Sequence, residues 1–186
     1  MKLTANSVYH IYNRGNNGES LFKEHRNYFY FKSLMQKYLS PHFTIYAYCL
    51  MNNHFHFMLK PLNDSIERQN AFRTFFSTYS KAINKAYKRT GSLFEDGYHS
   101  REITNKQDFW NTFGYIVYNP LKHGFKRNSN KFLHSSISEL NSWVPPIVNW
   151  NHLYQLAGSE ENFRIISNEI HQRFSYIEFP QDSQSF

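Results

Sequence analysis

Apolar positions along the first 60 residues fall in short β-rich runs separated by one stretch of helical spacing. Residues 7–14 carry Val, Tyr and Ile and stop at Gly15-Asn16-Asn17-Gly18, which predicts a first strand and a turn. From Glu24 to Leu39 the apolar residues Tyr28, Phe31, Leu34, Met35, Tyr38 and Leu39 recur with the period of a helix, and Ser40-Pro41 ends it. Residues 43–50 and 54–59 read as two further strands. The turn Met51-Asn52-Asn53 joins them so tightly that they should pair antiparallel.

Further on, Asp64-Ser65 is placed to cap a helix reaching about Arg89, with Phe72, Phe75, Phe76, Tyr79, Ile83 and Tyr87 on its buried side. Thr90-Gly91-Ser92 closes it, and residues 98–103 make a shorter fourth strand. Thr104-Asn105 can cap a last helix, Lys106 to Tyr118, that stops near Asn119-Pro120. The order β-α-β-β-α-β-α predicts an α+β fold, a ferredoxin-like βαββαβ unit with an antiparallel sheet and one extra helix. Residues 1–127 are expected to form this domain. Residues 128–186, with Ser/Asn-rich stretches, Pro145-Pro146 and a helix near Glu160 to Phe174, are expected to pack on it as a helical tail whose end, Gln181 to Phe186, frays.

Composition narrows the partner. Lys and Arg number 21 against 14 Asp and Glu, a formal charge of +7, which favours a polyanion such as nucleic acid. The sole cysteine, Cys49, allows no intramolecular disulfide, and no apolar run approaches the length of a membrane span. A cytoplasmic protein with no membrane partner is the expectation. Aromatic residues make up 19% of the chain, so one ring alone says little.

Two segments carry candidate chemistry. His54 and His56 lie two apart on a strand, so both imidazoles project to one side while Phe55 enters the opposite layer. Two such side chains can share one divalent cation. They can equally be polar residues on a solvated face, and a chain with 10 His makes such pairs by chance. Tyr115 and Asn119 are i and i+4 on the last helix, which would set a phenol beside an amide oxygen able to act as a third ligand. A phenol is a poor nucleophile until a nearby charge assists its deprotonation. Pro120 biases Asn119 away from the helical region, so the helix is expected to weaken before the i+4 relation is complete.

Taken jointly and in order, four segments resemble the REP-associated tyrosine transposases, a branch of the single-tyrosine HUH transposases. They are residues 9–15 (YHIYNRG), 50–59 (LMNNHFHFML), 91–94 (GSLF) and 115–122 (YIVYNPLK), and the resemblance spans roughly residues 7–127. It implies a ferredoxin-like HUH domain, a Mg2+ or Mn2+ ion held by His54, His56 and Asn119, and Tyr115 as nucleophile. It also implies cutting of single-stranded DNA beside a hairpin, through a 5′-phosphotyrosine that leaves a free 3′-OH. Asn52 stands where the family usually has proline, and His123 where a small residue is usual.

The basic residues expected to contact DNA are Lys81, Lys85, Lys88 and Arg89 on the second helix, Lys122, Lys126 and Arg127 after the last helix, and Arg14 and Arg101 on strands. Each could equally be a solvated charge. Three other readings compete: a hairpin-binding protein without catalysis, a metal-dependent hydrolase that uses water, and an HUH relaxase or replication initiator. Tyr115 and Tyr118 leave a two-tyrosine site open; the hydrolase lacks an evident base, since Asp64 and Glu67 lie beyond the strand. A monomer or a homodimer is compatible with the sequence.

Overall fold

A computed structural model of the chain describes residues 3–123, 132–141 and 146–176. Four strands, β1 (Val8–Arg14), β2 (Phe43–Leu50), β3 (His54–Pro61) and β4 (His99–Ile103), form one sheet in the order β2-β3-β1-β4. Every neighbouring pair is antiparallel. With α1 (His25–Leu34) between β1 and β2 and α2 (Ile66–Ala86) between β3 and β4, this is the ferredoxin-like arrangement the periodicity predicts.

The two faces of the sheet are dressed differently, because alternate residues of β1 and β3 point opposite ways. Ile11, Phe55 and Phe57 are fully buried, and Phe31 of α1 packs at an angle against Phe55 and Phe57 and edge-on against Phe75 and Tyr79 of α2. On the other side the register sets Tyr12 opposite His56 and Arg14 opposite His54, so these four side chains share a face. Lying over that face is α3 (Lys106–Val117), with Phe109 against Tyr46 of β2 and Tyr115 against His56.

Capping follows the sequence. The Ser65 hydroxyl accepts from Arg68 N–H at 3.2 Å, and the Asn105 side chain from Asp108 N–H at 2.9 Å. Three boundaries depart from expectation. The first helix loosens after Leu34 into a π turn over Met35–Leu39, closed by Ser40 N–H to the Met35 carbonyl at 3.0 Å. The second ends at Ala86 instead of Arg89, and Lys88 takes a left-handed φ of 51°. The last breaks at Tyr118 and resumes as α4 (Asn119–Lys122), which takes Pro120 into its first turn, where a missing N–H costs nothing.

The tail holds more structure than its polar stretches suggest. A 3-10 turn (Ser136–Asn141) precedes α5 (Trp150–Ala157) and α6 (Glu160–Tyr176). The sequence reading missed α5 although Asn149 caps it and Gly158 ends it at φ 97°. Phe163 of α6 packs on Trp110 and Phe113 of α3. The Tyr118 hydroxyl lies 3.1 Å from the Ser167 hydroxyl, and the Ser135 hydroxyl donates to the Val117 carbonyl at 2.9 Å. The tail therefore holds α3 down on the sheet. Residues 181–186 lie outside the described residues.

Candidate active site

Segments far apart in sequence meet at one end of the sheet. Gly15 N–H donates to the Asn53 carbonyl at 2.7 Å and Asn16 N–H to the Leu93 carbonyl at 3.0 Å. The Asn52 carbonyl accepts from both Leu21 and Phe22. A Cβ on Gly15 would lie 1.9 Å from the Glu19 carbonyl oxygen, so only glycine fits there. The segments at 15, 52–53 and 93 thus brace the start of β3, where His54 begins.

On the face above, His54 and His56 stand with ring centroids 5.3 Å apart, and the Tyr115 ring lies 5.5 Å from His56. Asn119 is 1% exposed, and its Oδ1 is 3.4 Å from His54 Nε2. The break at Tyr118 has not carried Asn119 away from the phenol, because α4 continues roughly where α3 stopped. Tyr118, by contrast, is buried with its hydroxyl against Ser167, which removes the second tyrosine from the site.

The protonation states follow from burial. His54 is pushed down to about 4, first by loss of water and then by His123 beside it. His56 falls well below its ordinary value for the same first reason, with His10 the next cause. Both rings are therefore neutral at pH 7 and can offer a lone pair. Burial raises the Tyr115 phenol, while the Asn119 amide alongside favours its ionised form. The Lys122 ammonium sits 5.5 Å from the centre of the Tyr115 ring.

His54 Nδ1 lies 2.8 Å from Asn53 Oδ1. An amide oxygen can only accept, so Nδ1 carries the proton and Nε2 presents a lone pair. That lone pair faces a second acceptor, the Asn119 oxygen. With the amide oxygen turned toward His54, the 3.4 Å spacing suits two ligands each about 2.1 Å from one ion. The Asn119 Nδ2 is buried with no hydrogen-bond partner among the described residues. Among those residues no three His, Cys, Asp or Glu side chains form a metal cluster, so a site here needs the amide to complete it.

The sequence did not assign His10, Tyr12 or His99 to this site, and His123, noted only as a departure from the family pattern, also borders it. His10 and Tyr12 share the active face of β1 with Arg14, and His10 Nε2 contacts His56 Nδ1 at 3.0 Å. Tyr12 is 36% exposed and stacks on His99 of β4, with centroids 5.0 Å apart and planes 17° from parallel. His123 lies 5.1 Å from His54. Period-two alternation of His10, Tyr12 and Arg14 was the signal available.

The basic residues are dispersed. Arg14 is beside His54 and paired with Glu95 at 2.5 Å. Arg101 is held by Asp108 at 2.8 Å and by the Thr112 hydroxyl at 2.6 Å, clamping β4 to α3. Arg89 pairs with Glu19. Lys81, Lys85 and Lys88 are exposed, but on or just past α2, the layer behind the sheet. Lys126 and Arg127 lie outside the described residues.

Residues 4–119 match the family described as transposase, IS200-like. The chain belongs to the IS200-like transposase family. A comparison with curated proteins gave no match. Among solved structures, the IS200-like fold here is similar to that of a REP-associated tyrosine transposase bound to a REP hairpin. The TM-score is 0.62 at 16% identity, over 79% of this chain and 86% of the other. At that identity the likeness speaks to the fold. The family match ends at Asn119, so it takes in His54, His56 and Tyr115 but not the tail. No helix among the described residues is long and apolar enough to cross a membrane.

Proposed function

We propose that this IS200-like transposase cuts and rejoins single-stranded DNA beside a hairpin, with Tyr115 as the nucleophile. The observation that carries the reading is the meeting of Tyr115 and Asn119 with His54 and His56 on one face of the sheet. Hairpin recognition draws support from the fold shared with a transposase bound to a REP hairpin.

In this reading His54, His56 and Asn119 would hold Mg2+ or Mn2+. Such an ion would supply Lewis-acid polarisation of the scissile phosphate and offset the charge that grows on its oxygens. The Tyr115 oxygen attacks phosphorus as its proton passes to water, which in turn can protonate the departing 3′ oxygen. The bond from phosphorus to the 3′ oxygen breaks, that oxygen takes up a proton, and the 5′ phosphate remains on the phenol. Lys122 places a positive charge beside the Tyr115 ring, which favours the ionised phenol as its proton is lost. One phosphodiester is exchanged for another, so the reverse attack by a 3′-OH needs no external energy source. The exposed Tyr12–His99 stack beside His56 offers an aromatic surface for a base next to the cleaved bond. Lys81, Lys85, Lys88 and Arg89 would meet the duplex part only if it wraps behind the sheet, whereas Arg14, Arg101 and Lys122 border the cut.

The test is a labelled single-stranded hairpin incubated with Mn2+ or Mg2+. A covalent protein–DNA adduct forms with the parent chain and disappears both in Tyr115→Phe and in excess chelator. Adduct formation by Tyr115→Phe at the parental rate overturns the nucleophile. Cleavage without any adduct returns the reading to a hydrolase.

A further inference from the structure

Among the described residues, His10 is a buried group that the proposed chemistry leaves unused yet that touches it directly. It projects from β1 onto the active face, is 8% exposed, and its Nε2 lies 3.0 Å from Nδ1 of His56, itself 7% exposed. Two neutral imidazoles can make this bond in only two ways. If His10 Nε2–H donates, the His56 proton resides on Nε2, and that nitrogen cannot bind a cation. If His56 Nδ1–H donates, His56 Nε2 is left with its lone pair directed away from His10.

For His54 the choice is dictated, because Asn53 Oδ1 is purely an acceptor. For His56 the partner is ambivalent, so the outcome depends on what surrounds His10. Arg101 stands directly opposite His10 in the β1–β4 register. Its guanidinium is fixed by Asp108 and Thr112 of α3, the helix that carries Tyr115. His56 can present a lone pair at Nε2 only when its Nδ1–H donates to His10, so a ligand role for His56 fixes His10 as the acceptor. Ligating histidines generally owe their orientation and tautomer to such a partner on the other ring nitrogen.

We infer that His10 is a positioning residue that accepts the Nδ1 proton of His56 and so holds His56 in the one tautomer whose Nε2 can bind a divalent cation. The inference rests on the reading of His56 as a ligand. It gives the two histidines matching arrangements, each tied at Nδ1 to an acceptor on an adjacent segment, with both Nε2 atoms left for one ion. A buried histidine that merely fills space would make none of these demands.

Two readouts independent of DNA cleavage test it. Mn2+ affinity, followed by the electron paramagnetic resonance of free Mn2+, is compared across the parent, His10→Leu, His10→Gln and His56→Ala. His10→Leu loses about 10- to 100-fold in affinity; His10→Gln, whose amide oxygen can accept the same proton, recovers most of it. Hairpin binding in chelator stays unchanged in both. Imidazole 15N shifts of the metal-free parent place the His56 proton on Nδ1, and in His10→Leu that preference is lost. Parental Mn2+ affinity in His10→Leu, or a parental His56 protonated on Nε2, overturns the inference; the second observation needs no variant to fold. If His56→Ala binds Mn2+ as the parent does, the ligand reading itself fails. If His56→Ala loses the ion and His10→Leu does not, only the role of His10 falls.

Discussion

His54 Nε2 and Asn119 Oδ1, 65 residues apart in sequence, face each other at 3.4 Å. The start of β3 and the start of α4 have been brought together so that two acceptors point at the same volume. Asn119→Leu therefore weakens Mn2+ binding by about tenfold or more, roughly 1.4 kcal/mol or above. Asn119→Asp, which adds a charge at the same place, restores or strengthens it. A titration of free Mn2+ distinguishes them, and equal affinities in all three chains would remove Asn119 from the site.

Tyr12 tests the aromatic surface. Tyr12→Ala is expected to weaken binding of hairpins that carry a single-stranded flank by about 1–3 kcal/mol, while Tyr12→Phe keeps most of the affinity. A hairpin trimmed of its flank should bind both variants alike. Fluorescence anisotropy with the two DNAs measures the difference, and equal losses on both DNAs would move Tyr12 from base stacking to structure.

Gly114 reports on the grip of the tail. A Cβ at this position would lie 2.2 Å from Ile170 Cγ2 of α6, a branched methyl that cannot swing away freely. Gly114→Ala should cost about 1–3 kcal/mol of stability by overpacking. Ile170→Ala, destabilising by itself, should make the Gly114→Ala change nearly neutral in the double variant. Chemical denaturation of the four chains gives the cycle. Because Tyr115 follows Gly114, adduct formation in Gly114→Ala should fall more than the fraction unfolded explains.

Acid sensitivity follows from histidines buried neutral. His134, 4% exposed and stacked 3.8 Å from Tyr28, is pushed down to about 4 by burial first, then by Lys32 and His25. A folded value below the unfolded one near 6.5 means the unfolded chain binds more protons between the two. The contribution to stability is therefore complete above about pH 6.5 and is lost as the pH falls toward 4. The slope in that window reaches about 1.4 kcal/mol per pH unit for the group. His134→Gln should flatten the fall in melting temperature between pH 6.5 and 4 and leave the profile above pH 7 unchanged in shape.

Elements whose physics is local were legible in the chain. Short β-rich runs bounded by turns marked the four strands, helical spacing marked α1 and α2, a cap and a proline stop bounded α3, and the caps at Ser65 and Asn105 are side-chain bonds within four residues. The pairing of His54 and His56 on one face follows from the pleat alone. The π turn after Leu34 has no such local mark, and α5 is too short for its periodicity to stand out, although Asn149 and Gly158 signal its ends.

What the order of residues determined, then, is the set of elements, the projection of the two imidazoles and the presence of a phenol with an amide four positions on. Tertiary structure alone decided which groups share the site: His10 and Tyr12 through pairing with β3, His99 through pairing with β1, and Tyr118's exclusion through its bond to Ser167. It also decided that Arg101 clamps α3 and that the lysines of α2 stand behind the sheet. The reason is physical: alternation and capping depend on neighbours a few residues away, whereas strand order, register and helix docking bring together groups whose spacing along the chain carries no trace of it.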